Sequence, residues 1–288
     1  MPLYENRYWW SNDGLRLHYR DYAGGSDGRP PILCLPGLTR NARDFDGIAA
    51  RLAGTWRVIA VDFRGRGDSA YSKDPMTYAP LTYVQDMEAL LAELEVDRFV
   101  AFGTSLGGII TMLLAGTARE RLVAALLNDI GPEIDPAGLS RIRSYVGKGS
   151  ACPTWMHAAR AVAEANGEAY PHYAIEDWLA MAKRLYRLNS AGRIVLDYDM
   201  KIAEPFRVPG NEAGPDMWRA LATLRDVPTL IVRGDRSDVL QARTADRMVA
   251  ELADAELATV PGIGHTPLLT EAVLAEPIDR LLAKGLAA

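Results

Sequence analysis

The feature that most constrains this chain is the alternation of short apolar runs with helical patterns. "PPILCLPG" (residues 30–37), "WRVIAVDFRG" (56–65), "RFVAFG" (98–103) and "LVAALLND" (122–129) read as buried strands. Helical patterns separate them at 42–53, at 81–95 (Leu81, Val84, Leu90, Leu91 and Leu94 on one face) and at 106–118. Strands that are apolar on both faces, joined by helices, predict a mostly parallel sheet covered on both sides. Ahead of them, "YENRYWW" and "LRLHYRDY" flank "SNDG", whose Asp13-Gly14 step suits a tight hairpin turn.

The alternation stops at residue 131. Residues 131–215 are rich in Trp, Tyr, Pro and charge and carry helical patches such as "MHAARAVAEA" and "EDWLAMAKRLYRL", with no strong strand. It resumes with a helix near 216–225, a strand at "PTLIVRGD" (228–235), a helix at 242–252, a strand at "AELATVPG" (255–262) and a helix near 271–284. The expected architecture is therefore α/β, with a sheet of about eight strands. Residues 1–130 and 216–288 would form the core domain, and 131–215 an inserted helical cap.

Gly103-Thr104-Ser105-Leu106-Gly107 fits G-x-S-x-G between a strand and a helix. A strand that feeds straight into a helix must turn sharply, which lifts the central side chain above the sheet at the positive end of the helix. The serine is either a silent small residue or a nucleophile. The glycines are not a phosphate loop, since no Lys-Ser/Thr follows, and G-x-G-x-x-G is absent here.

A nucleophilic serine needs a base, and the base an orienting acid. His18 lies in the N-terminal strand pair, and His157 and His172 in the insertion. His265, in "VPGIGHTPLL", follows the last strand at its carboxyl end, where α/β sheets place their sites. His265 is the expected base. For the acid, "LIVRGDRSDVL" offers Asp238 and Asp235, and "LLND" offers Asp129. Asp238 is preferred, because Asp235 beside Gly234 is better placed to cap the turn; Asp235 and Asp129 stay open as alternatives.

With Ser…Asp…His in that chain order, the sequence resembles the α/β-hydrolase-fold proteins. The resemblance rests on "LPGLTRN", "DFRGRGDS", "GTSLGG", "RGDRSD" and "GIGHTPLL", in that order, and covers nearly the whole chain outside the insertion. It implies an oxyanion hole built from the backbone N–H of Leu106 and that of Leu38. Many relatives carry His-Gly where this chain has Pro36-Gly37, and Pro36 has no N–H to give. The resemblance also implies that "DFRGRGDS" is a structured turn shaping the site from behind.

Ser105 separates this chain from the dehalogenases and epoxide hydrolases of the same fold, which use an aspartate at the elbow. Thr266 stands where the carbon–carbon bond hydrolases of aromatic breakdown typically carry a tryptophan after the histidine. The expected activity is hydrolysis of a small carboxylic ester or lactone through an acyl-serine, with no cofactor and no metal. Alternatives are an acyltransferase, a perhydrolase or a carbon–carbon hydrolase on the same triad, and a non-catalytic small-molecule receptor. Trp155, Met156, Trp178, Tyr186, Tyr198 and Trp218 are candidates for the pocket walls, and a cap Arg or Lys could anchor a substrate carboxylate.

Composition narrows the partners. The net charge of −5 and the lack of a basic block speak against nucleic acid. Two cysteines, Cys34 and Cys152, make neither a disulfide framework nor a structural zinc site. "MPLYENRYWW" has no signal-peptide pattern, and no apolar run approaches the roughly 18 residues of a membrane span. A cytoplasmic, soluble protein acting on a small molecule is the expectation.

Overall fold

The computed structural model describes residues 3–25, 27–207 and 216–287. In chain order the elements are β1 (Glu5–Trp10), β2 (Arg16–Tyr22), β3 (Ile32–Leu35), α1 (Asp46–Leu52), β4 (Val58–Asp62), α2 (Pro80–Glu93), β5 (Phe99–Thr104), α3 (Leu106–Ala118) and β6 (Leu122–Asn128). The insertion follows with α4 (Pro136–Tyr145), α5 (Trp155–Asn166), α6 (Ile175–Leu185), β7 (Tyr186–Leu188) and β8 (Ile194–Leu196). The chain closes with α7 (Met217–Ala222), β9 (Thr229–Gly234), α8 (Ala242–Glu251), β10 (Ala255–Val260) and α9 (Ala275–Ala287).

Eight strands form one sheet in the order β1-β2-β4-β3-β5-β6-β9-β10. The hairpin strand β2 pairs antiparallel with β4, and the strands from β4 to β10 run parallel. The apolar runs explain this placement. Every residue of β3, β4, β5 and β6 is buried. Alternate residues feed two cores: Leu33, Leu35, Ile59, Val61 and Ala101 on one face, Ile32, Cys34, Val58, Ala60 and Phe102 on the other.

The strand order reverses at β3. The chain steps outward from β3 to β4, then returns past β3 to β5. Such a reversal opens a crevice at the carboxyl ends of the two central strands. Leu38 follows β3 there and Ser105 follows β5.

Two local expectations change. Leu81 is 64% exposed rather than on the core face of α2. The buried stripe runs through Tyr83, Met87 and Leu90, and Leu81 falls about 150° around the helix from its centre. The patch "EDWLAMAKRLYRL" is helical only to Leu185; Tyr186–Leu188 turns into β7, paired with β8 through a turn in which Gly192 has φ +73°. The insertion thus carries a small antiparallel ribbon besides its helices. Residues 208–215, its expected end, lie outside the described residues.

The insertion is tied down over the carboxyl end of the sheet. Asn41 Nδ2 donates to Arg184 O at 2.9 Å, Asp199 N to Gly65 O at 2.7 Å, and Tyr78 OH to Asp199 Oδ2 at 2.7 Å. Among the described residues, no helix is long and apolar enough to cross a membrane.

Candidate active site

Ser105 sits at the junction of β5 and α3 with φ 52° and ψ −115°. A positive φ is costly for a residue with a Cβ and persists only where the surroundings impose it. The neighbouring glycines show what imposes it. A Cβ on Gly103 would lie 2.4 Å from Gly107 O, and one on Gly107 would lie 1.9 Å from Leu35 O. Strand and helix therefore meet backbone to backbone around the serine.

His265 lies in the loop after β10 and meets the serine: its Nε2 is 2.9 Å from Ser105 Oγ. Its Nδ1 is 2.8 Å from Asp129 Oδ2. With the Nδ1 proton donated to Asp129, Nε2 is the nitrogen that accepts from the serine hydroxyl. Asp129 follows β6 directly, is fully buried and also has a positive φ, 56°. Gly234 N donates to its Oδ1 at 3.0 Å, and Ser237 Oγ to its Oδ2 at 2.7 Å.

The preferred acid, Asp238, is not at His265. It forms a two-pronged ion pair with Arg141, with Nη2 2.8 Å from Oδ1. Burial works to raise the Asp238 carboxyl, but the Arg141 guanidinium outweighs it and holds the group below the usual carboxylate range. Of "RGDRSD", it is Ser237 and the Gly234 amide, and neither aspartate, that contact the Asp129 carboxylate. The carboxylate that meets His265 thus comes from the end of β6, the strand paired alongside β9 in the sheet.

Leu38 follows β3, and Leu106 opens the first turn of α3. Among the described residues, neither backbone N–H has an acceptor. For Leu106 that is the ordinary condition of a helix start. The Leu38 loop is held from behind, where the buried Arg66 donates from Nε to Leu38 O at 2.8 Å. Arg66 also donates to Arg64 O and Tyr83 OH. Arg64 in turn is fixed between Asp86 and Asp13. The arginines of "DFRGRGDS" thus brace the loop.

Tyr170 escaped the sequence reading. From the insertion, its phenol donates to Thr266 O at 3.0 Å and accepts from Thr266 N at 2.8 Å. Burial pushes that phenol up, which keeps it a neutral donor. Gly264 N bonds Ala169 O at 2.6 Å and Asn128 Nδ2 bonds Pro267 O at 2.8 Å, so the histidine loop is anchored on both sides of His265. A lone Tyr in an irregular stretch carries no pattern that would mark it.

A cavity of about 300 Å³ opens on Ser105 and His265. Of the six proposed wall residues, Tyr186 and Tyr198 line it. Trp178 packs instead against Tyr170 and Tyr173, and Trp155 joins the same cluster. Met156 is exposed, and Trp218 lies under Arg247 and donates to Glu133.

His18 and His157 have partners of their own. His18 is buried between Asp62 Oδ2 at 2.7 Å and Asn6 Oδ1 at 2.9 Å, and His157 bonds Thr154 on the surface. His18, Asp62 and Asp68 bring metal-ligand atoms within 4.8 Å of one another. The Asp62 oxygens are already committed to the amides of Ala42 and Asp68 and to His18.

The alpha/beta hydrolase family is matched over residues 32–277. A 3-hydroxybutyrate-oligomer hydrolase of Cupriavidus necator is 34% identical over 264 residues, 89% of this chain and 89% of that protein. A 2-(acetamidomethylene)succinate hydrolase of Mesorhizobium japonicum is 25% identical over 87% of this chain and 85% of that one. The crystal structure of an alpha/beta hydrolase from Novosphingobium aromaticivorans is 56% identical, covers 99% of each chain and superposes with a TM-score of 0.94. The chain belongs to the alpha/beta hydrolase family.

Proposed function

We propose that this protein is a serine hydrolase that cleaves a small carboxylic ester or lactone through an acyl-serine. The observation that carries the reading is the continuous hydrogen-bonded line from Ser105 through His265 to the buried Asp129, opening on a cavity. The named activity of the Cupriavidus necator relative supports it, since units of 3-hydroxybutyrate join hydroxyl to carboxyl as esters.

In this reading Ser105 Oγ attacks the ester carbonyl as His265 Nε2 takes its proton. Asp129 holds the ring in the required tautomer and balances the imidazolium that forms. The developing oxyanion is received by the Leu38 and Leu106 N–H groups, each such donor being worth about 3–4 kcal/mol. The alcohol leaves with the proton from His265. Water, activated by the same nitrogen, then releases the acid. The insertion acts as a cap whose inner face shapes the acyl and alcohol pockets.

The test is hydrolysis of p-nitrophenyl esters of increasing acyl length by the wild type and Ser105→Ala side by side. Turnover by the wild type and none above background by the variant is the expected result. Equal turnover by a folded Ser105→Ala protein would sink the assignment.

A further inference from the structure

The cavity beside Ser105 has a one-sided charge. Arg40, Arg141 and Lys148 line it, and no Asp or Glu side chain does among the described residues. That runs against a chain with 37 acidic and 32 basic residues. The two arginines are held in the same way. Arg40 gives its Nε and Nη2 edge to Asp44, with Nη2 2.7 Å from Oδ1, and Arg141 gives the same edge to Asp238. In each case Nη1 has no acceptor among the described residues. Lys148 has no carboxylate partner among the described residues. The carboxylates behind the arginines therefore orient planar donors and leave one nitrogen of each unspent.

Resting on the serine-hydrolase reading, we propose that the substrate carries a free carboxylate besides its scissile ester, bound by Arg40, Arg141 and Lys148. A guanidinium is a planar donor suited to carboxylate oxygens, and hydrogen bonds with both partners charged are about twice as strong as neutral ones. Selection also works by exclusion. An anionic ester pairs with the Lys148 ammonium, which a neutral ester leaves without a counter-charge. Arg141 links this subsite to the sequence: Asp238, unused by His265, serves as the anchor of a substrate-facing arginine.

The experiment compares matched pairs that differ only in charge. One pair is the linear 3-hydroxybutyrate dimer and its terminal primary amide, with the charge on the alcohol side of the ester. The other is monoethyl succinate and ethyl succinamate, with the charge on the acyl side. In at least one pair the acid should exceed the amide in kcat/KM by about 10-fold or more, mainly through KM. Lys148→Met should bring that ratio toward one, and Lys148→Arg should keep it. Equal kcat/KM for acid and amide in both pairs overturns the proposal while leaving the hydrolase reading standing. If the wild type turns over neither member of either pair, calorimetric binding of the same four compounds to Ser105→Ala decides. Tighter binding of an acid than of its amide supports the subsite, and equal binding or none overturns it.

Discussion

Asp129 Oδ2 and His265 Nδ1 lie 2.8 Å apart, joining the end of β6 to the loop after β10. The same oxygen accepts from Ser237 Oγ, and Asp129 is wholly buried. The fold itself thus fixes the carboxylate, as the proposed role of orienting acid requires. Asp129→Asn keeps the shape and can present its amide hydrogens to the ring, stabilising the wrong tautomer. It should cost about 10⁴-fold in kcat. Asp238→Asn should leave kcat within about 10-fold and act mainly on KM, because it releases Arg141 and not His265. Steady-state kinetics of the two variants, run in parallel, check the assignment. The reverse ranking would restore Asp238 as the acid.

The strands were legible because each is an unbroken apolar run, and the serine because a strand, two glycines and a helix leave one way to turn. His265 followed from its position after the final strand. Asp129 and Asp238 both sit just past a strand end, and no local pattern tells them apart. What separates them is the lateral placement of β6 against β9 and the arrival of Arg141 from the insertion, both of which are tertiary facts. The ribbon of β7 and β8 was hidden for a related reason. Its strands are only three residues each and run on from a helical pattern, so no period of two could assert itself.

Tyr170 grips Thr266 by both its N–H and its C=O, and Thr266 is the residue after His265. Tyr170→Phe keeps the ring against Tyr173 and Trp178 but drops both bonds. Each is worth about 0.5–1.5 kcal/mol net, so kcat should fall by about 10-fold. Thermal unfolding should shift by only a few degrees, because the rest of the insertion is tied down elsewhere. An unchanged kcat would show that the loop holds His265 without help from the insertion.

The pairing of Asp13 with Arg64 gives a pH dependence with a definite sign. Hydrogen bonding from Arg64 is the main cause that lowers the Asp13 carboxyl from 3.8 to about 2, against a smaller opposing effect of burial. A carboxylate depressed in the folded state stabilises above its unfolded value and loses that contribution as pH falls through the folded one. Wild type should therefore exceed Asp13→Asn in urea midpoint at pH 6, and the gap should close as pH falls from about 4 to about 2. Asp13 is 45% exposed, so the gap at pH 6 should be small. Like other partly exposed ion pairs, it should be worth no more than about 1 kcal/mol. An asparagine before Gly14 still suits the hairpin turn, so the comparison isolates the charge. A gap independent of pH would mean that the carboxylate's charge contributes nothing.

A backbone contact between β3 and α3 shapes the elbow. A methyl group at Gly107 would lie 1.9 Å from Leu35 O, in the middle of the buried sheet. β3 cannot retreat without breaking its pairing with β4 and β5, and α3 is tethered to the end of β5 by Ser105 alone. Gly107→Ala should therefore destabilise by more than about 3 kcal/mol, in the range reserved for core disruption. Gly116 supplies the control. It lies in the same helix, is exposed, and a Cβ there meets nothing within 4 Å. Gly116→Ala should stabilise by about 0.5–1 kcal/mol, since alanine loses less chain entropy in a helix. Denaturant unfolding of the two variants would give shifts of opposite sign. If Gly107→Ala proved as benign as Gly116→Ala, strand and helix would have room to move apart, and the strained backbone of Ser105 would need another cause.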